Sequence, residues 1–75
     1  MRKIEKLTGV IEQEGNGYVA LCLELDVASQ GKNIEEARRN LIEAVELFME
    51  TASKKEIKAR LHSKFYITPI EVKVG

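Results

Sequence analysis

Seventy-five residues suffice for one domain (1–75), 44% hydrophobic and 32% charged, which excludes general disorder and leaves a core so small that homo-oligomerisation is an expected source of stability. Twelve basic and twelve acidic side chains cancel, which argues against a general nucleic-acid binder held by counterion release. One cysteine, Cys22, excludes an internal disulfide and a paired-thiolate zinc site, and with no apolar run long enough for a membrane span or a signal peptide the expected setting is the cytoplasm.

Residues 4–14 read as a first strand, with Leu7, Gly9 and Ile11 on one face and Thr8, Val10 and Glu12 on the other. Glu14-Gly15-Asn16-Gly17 follows, and its Asn-Gly pair predicts a tight hairpin because both residues tolerate positive φ. The second strand is expected from Tyr18 to about Leu25. Val19, Leu21, Leu23 and Leu25 would form its core face, and Cys22 would point to the other side. Asp26 begins a bend, Val27–Gln30 make a short third strand, and Gly31 ends it.

The best-defined element comes next. Asn33 can cap a helix, and Glu36, three residues on, can reach back to it. Ile34, Ala37, Leu41, Ala44, Val45, Phe48 and Ala52 recur at steps of three and four, and Ile42 and Met49 widen that apolar stripe. Arg39, Glu43, Glu46 and Glu50 face away. Leu47 falls outside the stripe, so it reads either as a lone exposed leucine or as an anchor for a partner.

Lys54–His62 has room for two turns of helix, with Ile57 and Leu61 turned inward. Phe65–Val74 is expected as the last strand, since Ile70, Val72 and Val74 alternate with Glu71 and Lys73, and Pro69 assigns it to an edge or a bulge. The order β-β-β-α-β predicts an α+β fold. It would have a four-stranded, mostly antiparallel sheet in the order 3-2-1-4, with one main helix on one face.

Chemistry-bearing residues are sparse. Glu24 and Asp26 stand two apart on a strand end, but a two-metal site needs further carboxylates from other elements, so a solvated strand end is the simpler reading. His62, the one histidine, lies in a basic segment without a matched carboxylate, and Cys22 has only that histidine as a candidate base. No catalytic residue, metal ligand or cofactor is expected. Charge is uneven: residues 33–53 hold five acids against two arginines, and residues 54–75 hold six bases against Glu56 and Glu71. Lys54, Lys55, Lys58, Arg60 and Lys64, beside Phe65 and Tyr66, could hold phosphates and stack bases. The simpler reading places them at the negative end of the preceding helix, and direct nucleic-acid contact is not expected.

The run Tyr18-Val19-Ala20-Leu21-Cys22-Leu23-Glu24-Leu25, then Ser29-Gln30-Gly31, then Ile34-Glu35-Glu36-Ala37-Arg38-Arg39-Asn40-Leu41-Ile42-Glu43-Ala44, resembles the HicB-like antitoxin family over about residues 4–50. That family often has proline after the cysteine, where this chain has Leu23, which lets the strand continue. The resemblance implies a reduced ribonuclease H-like fold without nuclease activity, whose partner is a small, basic HicA-type toxin that cleaves RNA. Many relatives carry a DNA-binding module after this domain. Nothing of that kind follows up to Gly75, so the expectation is neutralisation without an attached repressor. Glu43, Glu46, Leu47 and Glu50 are then the expected partner contacts: the acids would steer a basic protein and Leu47 would be the desolvated anchor. A self-associating protein without a toxin partner is the alternative.

Overall fold

The computed structural model describes residues 6–61 and 65–75. Three strands, β1 (Gly9–Glu14), β2 (Gly17–Cys22) and β3 (Val27–Gly31), form an antiparallel sheet in the order β1-β2-β3. Pairing runs from Gly9↔Cys22 to Glu14↔Gly17, and from Tyr18↔Gly31 to Cys22↔Val27. Leu23 N donates to Thr8 O at 3.0 Å, so the β1–β2 ladder continues slightly past its regular end.

The hairpin forms, but one residue earlier than the Asn-Gly reading places it. Glu14 pairs with Gly17, so Gly15 and Asn16 are the two loop residues. Gly15 has φ +60° while Asn16 keeps a negative φ, which matches the two-residue turn with glycine first. The strands around it twist correctly only if the first loop residue reaches positive φ, and glycine does so without a steric penalty.

Helix α1 (Ile34–Thr51) starts as its cap residues dictate. Asn33 Oδ1 accepts from Glu36 N at 2.7 Å, and Glu36 Oε1 accepts from Lys32 N at 2.9 Å. Two otherwise unpaired amides are satisfied, and two acids, Glu35 and Glu36, sit at the positive end of the helix. After Ala52, Ser53 caps a second helix, α2 (Lys54–Leu61), by accepting from Glu56 N at 3.1 Å. The helical layer therefore has a second, shorter member beside the one main helix.

The α+β class holds, but the expected core face of β2 does not. Ala20 and Cys22 are buried with Leu25, Ala37 and Leu41, while Val19, Leu21 and Leu23 are only half-buried. Cys22, expected on the far side, is 2% exposed. The cause is the close approach of α1. A Cβ on Gly31 would lie 2.4 Å from Ala37 N, so backbone nearly touches backbone there and small side chains fit beneath the helix. Leu25 joins this side because β2 ends at Cys22. The turn that follows, with Asp26 at φ 55° and its N–H donating to Cys22 O, breaks the alternation and swings Leu25 inward.

The fourth strand is also corrected. Residues 65–75 form no strand, and every one of them is exposed. Alternation specifies only that one side of an extended segment is apolar; it does not supply the edge that must pair with it. In the described residues β1 pairs with β2 alone, so the place expected for strand four is open.

Candidate partner-binding surface

The outward side of α1 is built by helix geometry. Glu43, Glu46, Leu47 and Glu50 follow at i, i+3, i+4 and i+7, so they stack along one face. All four are exposed, and Leu47 presents 60% of its surface. The ion pair found among the described residues is Arg60–Glu56, so the three acids have no cation partner there. The result is a negative stripe with one aliphatic side chain in its middle.

The basic segment is less uniform than its sequence. Lys54, Lys55 and Lys58 are exposed on α2. Arg60 is turned inward: it donates to Leu25 O, pairs with Glu56 Oε1 at 3.1 Å, and lies 4.7 Å from the centre of the Phe48 ring. It clasps α2 to α1 and to the β2–β3 turn. Ile57 and Leu61 are half-buried on the same side. His62 and Lys64 lie outside the described residues.

The strand-end carboxylates do not converge. Glu24 accepts from Thr8 N and Thr8 Oγ1, both at 2.8 Å, whereas Asp26 is exposed in its turn. Burial pushes the Glu24 carboxyl up, but the Thr8 hydrogen bonds, its own amide and a weak contact from the Cys22 thiol outweigh that and hold it below its ordinary value of 4.5. Glu24 therefore acts as a tie between the entry to β1 and the exit of β2. Among the described residues no three side chains are grouped to hold a metal ion, and no helix is long and apolar enough to cross a membrane.

One feature escaped the sequence reading. An open groove of about 1280 Å³ runs between β1 and α1, walled by Leu7, Ile11, Leu41, Ile42, Val45 and Met49, with Arg38, Glu46 and Glu50 on its rim. Its signal was the width of the apolar stripe: Ile42 and Met49 extend α1 beyond what three strands cover.

No family model matches the chain, and no solved structure matches it significantly. A curated UPF0150 protein of Helicobacter pylori strain J99 is 39% identical over 67 residues, which span 88% of this chain and 93% of that protein. With that identity sustained along nearly the full length of both sequences, the chain belongs to the UPF0150 family.

Proposed function

We propose that this chain is a non-catalytic, HicB-like antitoxin domain that neutralises a small, basic, HicA-type RNA-cleaving toxin by covering its active surface in the cytoplasm. In this reading the sheet and α1 are the family's reduced ribonuclease H-like outline, and no cofactor takes part. The observation that supports it is the exposed stripe on α1, where Leu47 stands among three acids without a cation partner among the described residues. A nuclease surface that grips RNA is positive. Carboxylates on a helix steer it into an encounter, and one aliphatic anchor among them is desolvated on contact.

The test is association kinetics with a purified small, basic HicA-type toxin. Reversing Glu43, Glu46 and Glu50 together to lysine slows association by about tenfold or more at low salt, and the difference shrinks as salt rises. An unchanged on-rate removes the helix face from the proposal.

A further inference from the structure

The groove beside β1 and the exposed residues 65–75 are complementary halves of one strand pairing, and both are left unused among the described residues. In the tail, Tyr66, Thr68, Ile70, Val72 and Val74 share one side of an extended segment, with Glu71 and Lys73 on the other. Ile70, Val72 and Val74 are 78%, 70% and 90% exposed. The radius of gyration, 14.8 Å, exceeds the roughly 11 Å expected of a compact chain of this length, consistent with a segment that projects from the body. Opposite stands the edge of β1, with Ile42, Val45 and Met49 of α1 overhanging it. The other edge of the sheet is engaged: Asn40 Nδ2 donates to Gln30 O at 2.8 Å, and α1 closes over Gly31.

We propose that the occupant of this groove is the tail of a second copy of the chain, exchanged reciprocally, so that each protomer's Tyr66–Val74 adds a fourth strand to its partner's β1. The inference stands apart from the toxin reading. Three observations select this occupant. The apolar side of the tail matches the apolar walls of the groove, and pairing places Ile70, Val72 and Val74 under α1. The opposite side then sets Glu71 and Lys73 on the sheet face where β1 carries Glu12 and Glu14, so a register that brings Lys73 beside those acids is favoured. Pro69 also fits, because the added strand becomes the outer edge, where a missing N–H breaks no ladder, and Glu71 and Lys73 guard that edge against further pairing. The core gives a reason for exchange. Ala20, Cys22, Leu25, Ala37 and Leu41 are the buried hydrophobics among the described residues, a small core that gains from a strand laid under α1. Exchange of identical segments about a two-fold axis closes after two chains.

Sedimentation velocity on the full chain across a dilution series tests this, together with Ile70→Asp/Val72→Asp in the tail and Ile42→Asp on the groove wall. These positions are exposed in one chain, so the variants are expected to keep the helical far-UV signal of wild type and to unfold cooperatively. Wild type is expected to sediment as a dimer, and the tail and groove variants each as a monomer. An equimolar mixture of the two variants regains dimer, because one junction of the mixed pair is intact. Hydrogen exchange protects the Ile70–Val74 amides in the dimer only. A monomeric wild type, a tail variant that stays dimeric, or tail amides protected in a monomer overturns the proposal.

Discussion

The guanidinium of Arg60 lies 4.7 Å from the centre of the Phe48 ring, and so joins the last turn of α2 to the apolar stripe of α1. The same group donates to Leu25 O and to Glu56 Oε1, which makes it a clasp between three parts of the chain. Arg60→Ala is expected to destabilise the fold by about 1–2 kcal/mol, from a lost cation–π contact and a charged hydrogen bond to a carbonyl left unpaired. Lys54→Ala, Lys55→Ala and Lys58→Ala, each at an exposed position, are expected to stay within about 0.5 kcal/mol of wild type. Urea unfolding of the four variants checks the contrast.

Gly31 and Gly15 separate two reasons for glycine. At Gly31 an added Cβ meets the backbone of Glu36 and Ala37 at 2.4–2.9 Å, so Gly31→Ala must push α1 off the sheet and is expected to cost about 1–3 kcal/mol. Gly15 has open space around it, but its φ is +60°. Gly15→Ala is expected to cost about 1 kcal/mol from backbone strain alone, and Gly15→Asn less, because asparagine tolerates that region better. Thermal unfolding with near-UV spectra distinguishes the two, since only Gly31→Ala is expected to alter the packing signal.

Glu24 links stability to acid. Its carboxyl is held below 4.5 in the folded chain, chiefly because the Thr8 hydrogen bonds overcome the upward push of burial. A depressed folded value means that the contribution is complete above 4.5 and is lost as pH falls through the lower folded value. Glu24→Gln is therefore expected to be less stable than wild type at neutral pH and to converge with it in acid. Denaturant midpoints of the two proteins at neutral pH and at pH values below 4.5 check this. A gap that stays constant across that range contradicts the role given to Thr8.

Much of the local structure was legible in the sequence because it follows from neighbours in the chain. Asn33 with Glu36 marks the start of α1, the 3–4 spacing from Ile34 to Ala52 marks its inner side, and the glycines around Asn16 mark the hairpin. The exposure of Glu43, Glu46, Leu47 and Glu50 follows from that same spacing. What was not legible depends on contacts between elements. Hydropathy favours Val19, Leu21 and Leu23 over Ala20 and Cys22, yet the proximity of Ala37 to Gly31 selects the small side chains for the buried face. The positive φ of Asp26 redirects Leu25 in a way that no alternation pattern encodes. Arg60 reads as one more base in a basic run until Leu25 and Phe48 are seen beside it. The tail shows a strand-like pattern, yet alternation alone does not say which edge it meets.

The binding reading also makes a prediction at one residue. Leu47→Ala removes an exposed aliphatic group, so it is expected to leave thermal stability almost unchanged and to weaken the toxin complex by about 1–2 kcal/mol, chiefly through faster dissociation. Calorimetric titration beside a melting curve checks both halves.

The most direct measurement is an RNA-cleavage assay with a small, basic HicA-type toxin, titrated with the purified chain. Cleavage is expected to stop near stoichiometric addition, and the triple lysine variant at Glu43, Glu46 and Glu50 is expected to need a much higher concentration at low salt. Undiminished cleavage in the presence of saturating folded chain would contradict the assignment of this domain as an antitoxin.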